Sequence, residues 1–223
     1  MASLTIENYV KTIYQLTGGR AEQAAATGKL AEALRVSPGT VTSMLKTLSE
    51  SGLAVYTPYE GARLTPAGRM LALRVLRRHR LIELFLARTL DLSWDEVHEE
   101  AEHMEHAVSD LLIDRIDAFL GFPATDPHGD PIPKADGTVA DSSDRRLADL
   151  EVGSPFQVVR VIDQSPEFLR YLTECGLRLD ASGTVVAKRQ ESGTMTVEVA
   201  GQQTTLAQTV AEEIGRASCR ERV

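Results

Sequence analysis

The N-terminal fold is decided by residues 35–53, RVSPGTVTSMLKTLSESGL. Ser37 is a favourable N-cap, Pro38 suits the first helical position, and Gly52 stands where a glycine commonly ends a helix. From Val41 onward, apolar residues recur at i, i+4 and i+7, the spacing of one buried helical face. The stretch therefore predicts a helix whose other face, rich in Thr, Ser and Lys, is exposed.

The flanking segments complete a winged helix-turn-helix. Apolar periodicity predicts a helix over residues 5–16 and a second over 28–34, so the stretch above becomes the recognition helix. Residues 53–65, LAVYTPYEGARLT, predict a hairpin that forms the wing, with Tyr59 close to its turn. We expect a DNA-binding domain over residues 1–65, the alternative being a winged helix used for protein contacts. The residues expected to face DNA are Ser37, Pro38, Gly39, Thr40, Thr42, Ser43, Lys46 and Arg63.

The distribution of charge favours the DNA interpretation. The net charge is −8, yet residues 1–80 carry eleven Lys and Arg against five Glu and no Asp. The acidic excess therefore lies in the rest of the chain. A basic segment joined to an acidic one is typical of a polyanion-binding part attached to a part with another function.

Composition excludes several other classes of protein. A hydrophobic content of 43% indicates a folded chain. No apolar run approaches the roughly 18 residues that span a bilayer, and residues 1–8 lack the pattern of a secretion signal. We therefore expect a cytoplasmic protein with no membrane partner. Cys175 and Cys219 form neither a disulfide framework nor a Cys-x-x-Cys pair.

Histidines and carboxylates are concentrated after the wing. A long amphipathic helix is predicted from residue 65 to about residue 90, followed by a helix containing VHEEAEHMEH, residues 97–106. At about 100° per residue, four side chains of the second helix share one broad face, whereas His103 points away. Imidazole with carboxylate suits first-row divalent metals such as Mn²⁺, Fe²⁺, Co²⁺ and Zn²⁺. The candidate ligands on the two helices are His79, Glu83, His98, Glu102, Glu105 and His106.

An enzymatic use of these residues is disfavoured. The chain lacks the metalloprotease motif H-E-x-x-H, the nucleophile elbow G-x-S-x-G and the phosphate-binding glycine loops. We therefore expect no enzyme and no organic cofactor. A metal-dependent hydrolase and a metal-storage protein remain as rival interpretations.

The last third of the chain predicts a linker and a small β domain. Residues 123–144 are rich in Pro, Gly, Asp and Ser and read as a linker, in which His128 is expected to be a turn residue. Residues 145–212 alternate short apolar runs with turns, which favours a β-barrel of the SH3 type. Residues 213–223 are basic and resemble a translated sequencing adapter, so we expect a non-native tail.

The order of these parts resembles the diphtheria toxin repressor family of iron- and manganese-dependent regulators. The resemblance is strong from residue 5 to residue 133 and weaker beyond. It implies a mainly α chain with a small β part: a winged helix, a helical metal-binding and dimerisation domain at 66–122, and an SH3-like β-barrel. The blocks that carry it are TIENYVKTIYQL, VSPGTVTSMLKTL, LTPAGRMLA, RRHRLIELFL, VHEEAEHMEHAVSD and HGDPIP.

The resemblance also implies two metal sites. An ancillary site would use His79, Glu83 and His98, completed by Gln164 and Glu167 from the β domain. The primary site would use Glu102, Glu105, His106 and Asn8. Asn8 stands where the family has Met or Asp, Lys11 stands where some manganese-type members have a carboxylate, and Glu102 matches the manganese type. The cofactor is therefore expected to be Mn²⁺ or Fe²⁺.

Together these features predict a homodimeric, metal-dependent repressor of metal homeostasis genes that binds double-stranded operator DNA. Metal is expected to tie the first helix, through Asn8, to the His/Glu helix and so to set the angle between two winged helices. A metal-independent winged-helix regulator is the main alternative. The dimer interface is expected to include Leu111, Leu112, Ile116 and Phe119.

Overall fold

A computed structural model describes residues 3–140 and 145–217. Helices dominate the N-terminal part of the chain and strands dominate the C-terminal part. In chain order the elements are α1 (Leu4–Leu16), α2 (Thr27–Ala33), α3 (Pro38–Glu50), β1 (Ala54–Thr57), β2 (Gly61–Leu64), α4 (Pro66–Leu90), α5 (Val97–Met104), α6 (Asp110–Phe119), a short 3₁₀ helix (Leu147–Asp149), β3 (Pro155–Val161), α7 (Pro166–Glu174), β4 (Ser182–Arg189), β5 (Thr194–Val199), β6 (Gln202–Ala207), α8 (Gln208–Glu212) and β7 (Ile214–Ala217).

The chain divides into two compact units. The first unit contains the described residues of 1–79, 103–109 and 133–139. The second unit contains those of 80–102, 110–132 and 140–223. The first unit therefore holds the winged helix, α4 as far as His79 and the segment that begins at the end of α5, and the second holds the β domain and most of the remaining helical region.

The winged helix forms as the sequence predicts. The Ser37 hydroxyl accepts a hydrogen bond from the Thr40 backbone N–H at 3.1 Å and so caps α3. Gly52 follows the helix with a φ of 71°, in the left-handed region that glycine adopts readily. Strands β1 and β2 pair antiparallel, with Ala54 opposite Leu64. The apolar faces of α1 and α3 meet in one core, to which Tyr9, Val10, Ile13, Val41, Leu45 and Leu48 contribute.

The helix after α4 is shorter than its sequence periodicity predicts. A single helix was expected to present four ligand side chains on one face, but α5 ends at Met104. The backbone N–H groups of Ala107 and Val108 donate to the Met104 carbonyl within the turn that follows. Glu105 and His106 therefore lie in the turn just after the helix. The predicted extent of this helix is corrected on this point.

Part of the predicted linker is well-ordered structure. Thr125 and Pro131 form an antiparallel bridge, and the side chains of Asp126 and His128 between them are buried. The polar composition of this segment reflects side chains that cap its own turn, because Asp126 Oδ1 accepts from the backbone N–H groups of His128 and Asp130. Residues 141–144 of the predicted linker lie outside the described residues.

The β domain is a five-stranded antiparallel sheet in the order β6-β5-β4-β3-β7. Its core contains Phe156 and Leu169, both fully buried, the latter contributed by α7. Strand β7 pairs with β3, and Ile214 joins the same core. The domain thus extends to Ala217, which corrects the predicted boundary at residue 212. Residues 218–223 of the expected tail lie outside the described residues.

No helix in the described part of the chain combines the length and the apolar composition needed to cross a bilayer.

Candidate metal centres and DNA-binding surface

His106 contacts two residues of α1 within the first unit. Its Nδ1 lies 2.7 Å from Glu7 Oε2, and its Nε2 lies 2.7 Å from Asn8 Oδ1. Asn8, which was predicted to be a metal ligand, thus lies against His106, whereas Glu7 was not expected there. We call the group to which these residues belong the first cluster. Its members are Glu7, Asn8, Lys11, His79, Glu105 and His106.

Glu105 is the centre of the first cluster. Its side chain is fully buried, with Oε2 2.6 Å from His79 Nδ1 and Oε1 2.6 Å from Lys11 Nζ. His106 Nε2 lies 3.2 Å from Oε1. Burial raises the pKa of Glu105, but the hydrogen bonds and charges of His79 and Lys11 outweigh it, so the pKa is lowered overall. Glu105 therefore stays a buried carboxylate, the form in which it binds cations.

A second cluster lies in the second unit and consists of Glu83, His98, Asp126 and His128. Glu83 Oε1 is 3.1 Å from His98 Nδ1, and Glu83 Oε2 is 3.8 Å from His128 Nδ1. One ligand atom from each of Glu83, Asp126 and His128 lies within 4.8 Å of the others. These three side chains are buried, and two carboxylates with an imidazole are a donor set that suits Mn²⁺ and Fe²⁺.

His128 provides the clearest test of whether a cation fits the second cluster. Its Nε2 lies 2.7 Å from the Trp94 carbonyl oxygen, which can only accept, so in the neutral ring Nε2 carries the proton. Nδ1 then offers a lone pair, and among the described residues it has no hydrogen-bond partner although it is buried. A ring nitrogen whose opposite N–H is held by a backbone carbonyl is a typical metal ligand. The donor set therefore fits a cation.

His128 and Asp126 are ligand candidates that the sequence analysis missed, and His128 was expected to be only a turn residue. The available signal was the pair of carboxylates around it in ATDPHGDP, which was attributed to linker composition. Burial, with the nearby carboxylates of Asp130 and Glu83, raises the pKa of Asp126 to about 8. Several carboxylates are buried close together at this position, and a bound cation would reduce the repulsion between them.

The remaining predicted ligands are Glu102, Gln164 and Glu167. Glu102 is partly exposed and lies 3.9 Å from His98 Nε2. Gln164 donates to Asp130 Oδ2 at 3.1 Å, and Glu167, 83% exposed, pairs with Arg170 at 3.7 Å. Glu167 belongs to none of the groups of three or more His, Cys, Asp and Glu side chains that the described residues gather around a possible cation. The assignment of Gln164 and Glu167 as ligands remains a prediction.

The predicted DNA-facing residues lie together on α3 and the wing. Thr42 and Arg63 are partly exposed, with Thr42 Oγ1 donating to the Pro38 carbonyl at 2.9 Å and Arg63 Nε donating to the Glu22 carbonyl at 2.9 Å. Tyr59 is fully exposed at the tip of the wing. The exposed members of the set are Ser37, Pro38, Gly39, Thr40, Ser43 and Lys46.

Helix α6 carries the residues expected at a dimer interface. Leu111 and Phe119 are each 69% exposed, and Leu112 is 47% exposed. Ile116 is buried, so it supports the helix from within the second unit instead of contributing to an exposed face. Three large apolar side chains are thus exposed on the ten residues of this helix, and their place in a dimer interface remains a prediction.

Three domain families match consecutive parts of the chain. Residues 1–62 match the iron-dependent repressor N-terminal DNA-binding domain, and residues 65–134 match the iron-dependent repressor metal-binding and dimerisation domain. Residues 145–215 match the FeoA domain. This match defines the β domain more closely than the predicted SH3-type barrel does.

Curated relatives and solved structures agree with these domains. The iron-dependent repressor IdeR of Mycobacterium leprae is 34% identical over 191 residues, covering 81% of this chain and 80% of the relative. The diphtheria toxin repressor of Corynebacterium glutamicum is 30% identical over 203 residues, covering 86% and 87%. A manganese-dependent transcriptional repressor in complex with manganese is 40% identical with a TM-score of 0.86, covering 96% of this chain and 99% of that structure. ScaR with bound Zn²⁺ is 31% identical with a TM-score of 0.81, covering 96% and 99%.

A winged helix whose first helix contacts clustered imidazoles and carboxylates defines a metal-responsive DNA-binding protein. The chain belongs to the diphtheria toxin repressor family of iron- and manganese-dependent repressors, with a FeoA-like C-terminal domain. It is a metal-dependent transcriptional repressor and not an enzyme. Its domains bind DNA and metal and dimerise, so operator DNA and a second copy of the chain are its partners. The predicted fold class, function and cofactor class are confirmed.

Proposed function

We propose that Mn²⁺ or Fe²⁺ bound at the first cluster fixes the DNA-binding form of this repressor, which then silences metal homeostasis genes in the cytoplasm. The observation that carries the proposal is the pair of contacts from His106 to Glu7 and Asn8 of α1. These contacts connect the metal-binding segment directly to the DNA-binding domain.

The restraint on α1 extends to the recognition helix through the core of the winged helix. Val10 and Ile13 of α1 are fully buried in the same apolar core as Val41 and Leu45 of α3. Close-packed interiors transmit displacements, because a side chain cannot shift without moving its neighbours. Holding α1 in one position therefore holds α3, and in a dimer it sets the spacing of two recognition helices that enter major grooves about 34 Å apart.

At the first cluster, the side chains that would hold the ion are His79, Glu105 and His106, with Asn8 contributing its amide oxygen. Bound there, a divalent cation supplies charge and directional bonds that join α1 to the segment after α5. Glu102 stays a proposed further ligand of this ion. Oxygen and imidazole donors without cysteine favour Mn²⁺ and Fe²⁺ over softer ions.

We propose a second ion at the second cluster, held by Glu83, Asp126 and His128 with His98 beside them. This ligand set differs from the ancillary set inferred from the resemblance, since it includes the buried loop residues Asp126 and His128. The orphaned His128 Nδ1 is the observation that supports it. The loop is bonded to β3 through the Val161 N–H, which donates to the His128 carbonyl at 2.8 Å, so this ion would stabilise the second unit.

The proposal predicts that DNA affinity depends on metal only while His106 is present. Duplex DNA from the gene's own upstream region is titrated at fixed salt with EDTA, Mn²⁺, Fe²⁺ or Zn²⁺, because affinity for DNA depends steeply on salt. For the parent, Mn²⁺ or Fe²⁺ should tighten binding by about 5- to 150-fold, the usual range of allosteric coupling. His106→Ala should remove this response and leave weak, metal-independent binding.

His103→Ala is the matched control. His103 is exposed at the end of α5, three residues from His106, and its replacement removes an imidazole without touching the first cluster. It should respond to metal as the parent does. Equal metal responses in His106→Ala and the parent would reject the first cluster as the activating site, and parent binding that is equally tight in EDTA would indicate a metal-independent regulator.

A further inference from the structure

Lys11 is an unusual member of a cation-binding cluster. Its ammonium lies 2.6 Å from Glu105 Oε1, and the side chains of Lys11 and Glu105 are only 6% and 0% exposed. Lys11 is on α1, one helical turn after Glu7, so its charge enters the cluster from the DNA-binding domain. An ammonium group donates three hydrogen bonds and accepts none, so it cannot itself be a ligand.

Both carboxylate oxygens of Glu105 already have a close partner. His79 Nδ1 is 2.6 Å from one carboxylate oxygen, and the Lys11 ammonium is 2.6 Å from the other. An ion that used Glu105 would place two positive charges beside the ammonium in a region shielded from water, where charges interact strongly. The ammonium and the ion therefore compete for the same carboxylate.

Each of the two carboxylates in this cluster already has a cationic partner. Glu105 is paired with Lys11, and Glu7 Oε1 lies 3.9 Å from Arg78 Nη1, a contact that is also largely buried. Removing one partner of a buried ion pair leaves an uncompensated charge, which is strongly destabilising. Lys11 thus compensates the buried negative charge of Glu105 in the metal-free protein, and a bound ion would compensate it instead.

We propose that the Lys11 ammonium is a tethered competitor of the activating metal: it neutralises Glu105 in the absence of metal and must withdraw when metal binds. The proposal rests on the proposed function, because it assumes that the first cluster holds the ion. Lys11 then raises the metal concentration at which the repressor responds, while holding the cluster together below that concentration.

The test variant is Lys11→Met, which removes the positive charge and nearly keeps the length of the side chain. Mn²⁺ binding is measured by titration calorimetry without DNA, and thermal unfolding is measured in EDTA and in Mn²⁺. Lys11→Met should bind Mn²⁺ about 5- to 150-fold more tightly at one site, the range of ordinary coupling between two ligands. Its unfolding midpoint should fall in EDTA, and the gain in midpoint from Mn²⁺ should exceed that of the parent.

Two further variants control for charge and for shape. Lys29→Met removes the same charge from an exposed pair with Glu32, whose side chains are 71% and 74% exposed, and should behave as the parent. Lys11→Arg keeps a cation at the position and should retain the parent's weaker Mn²⁺ affinity. A Lys11→Met chain that folds only with Mn²⁺ present supports the proposal, because the ion has replaced the ammonium.

The opposite results are equally clear. Unchanged or weaker Mn²⁺ binding by a folded Lys11→Met chain would overturn the proposal and make Lys11 a positioning residue for Glu105. Failure of that variant to fold even with Mn²⁺ would overturn it too, since the ion could not then replace the ammonium. If Mn²⁺ strengthens DNA binding by the parent but Lys11→Met gains nothing, only this inference fails; if the parent gains nothing from any metal, the proposed function itself fails.

Discussion

The two clusters use the same side-chain chemistry in different structural settings. In the first, His106 contacts α1 of the winged helix, and the central carboxylate, Glu105, already has Lys11 as a partner. In the second, His128 lies on a loop bonded to β3, and its Nδ1 has no hydrogen-bond partner among the described residues. The first cluster is therefore suited to control DNA binding, and the second to stabilise the β domain and the loop beside it.

The comparison shows why ligand type alone does not define a metal sensor. Both clusters contain imidazoles and buried carboxylates, yet they differ in the elements that their ligands join and in the cations that compete for them. The second cluster has its own competitor in Arg80, whose Nε lies 3.4 Å from Asp126 Oδ2. That contact is longer than the one from Lys11 to Glu105, so Arg80 opposes an ion less directly.

The largest effect is expected for Glu105→Gln, which removes the central charge of the first cluster. Lys11 would lose a buried partner, so unfolding in EDTA should become easier by about 3–5 kcal/mol, the cost of breaking a buried pair. Urea unfolding measures this change. Glu32→Gln removes a carboxylate from the exposed pair with Lys29 and should change stability by less than about 1 kcal/mol. Similar values for both variants would remove the distinction between a buried and an exposed pair.

Gly129→Ala should damage the loop of the second cluster. Gly129 has a φ of 86°, and an added Cβ would collide with the Val159 carbonyl oxygen, so the loop must separate from β3. The left-handed conformation costs roughly 1–2 kcal/mol for a residue with a Cβ, and the overpacking adds roughly 1–3 kcal/mol. Gly121→Ala has a φ of 77° with no atom near the new Cβ, so only the first cost applies. Equal losses of stability would contradict the close contact.

His128→Ala should remove one bound ion and have a smaller effect on DNA binding than His106→Ala. Calorimetry should show one Mn²⁺ fewer per chain, with the metal response of DNA binding reduced less than about fivefold, below the usual range of coupling between linked sites. Trp94 is the sole tryptophan and stacks on His128 with ring centroids 6.3 Å apart. Its fluorescence should change with Mn²⁺ in the parent and not in His128→Ala. If His128→Ala lost the whole metal-dependent increase in DNA affinity, the two clusters would have to act as one functional site.

The smallest effect is expected for Thr173→Val, which removes the hydroxyl that accepts from Trp94 Nε1 at 3.0 Å. A single hydrogen bond contributes about 0.5–1.5 kcal/mol, so stability should fall by that amount while the number of bound ions is unchanged. Thr205→Val removes an exposed hydroxyl contact with Thr196 in the same unit and should be nearly neutral. A lower number of bound ions in Thr173→Val would mean that Trp94 positions His128 as well as the loop.

The sequence by itself determined the winged helix and the types of ligand. Caps, turn residues and apolar periodicity are local properties, so Ser37, Gly52 and the stripe from Val41 to Leu48 specify their helix without knowledge of the rest of the chain. The interleaving of His and Glu after the wing likewise indicated a divalent metal. Each of these predictions is assembled from patterns that are local to one helix or one turn.

Only the tertiary structure decided how the ligands are grouped. The pairs that define the first cluster are far apart in sequence, 94 residues for Lys11 and Glu105 and 99 for Glu7 and His106. Helix α5 ends at Met104, before Glu105 and His106, and burial turned His128 from a turn residue into a ligand candidate. Such contacts arise when separate segments pack into one core, and that packing is a property of the whole fold which no local pattern encodes.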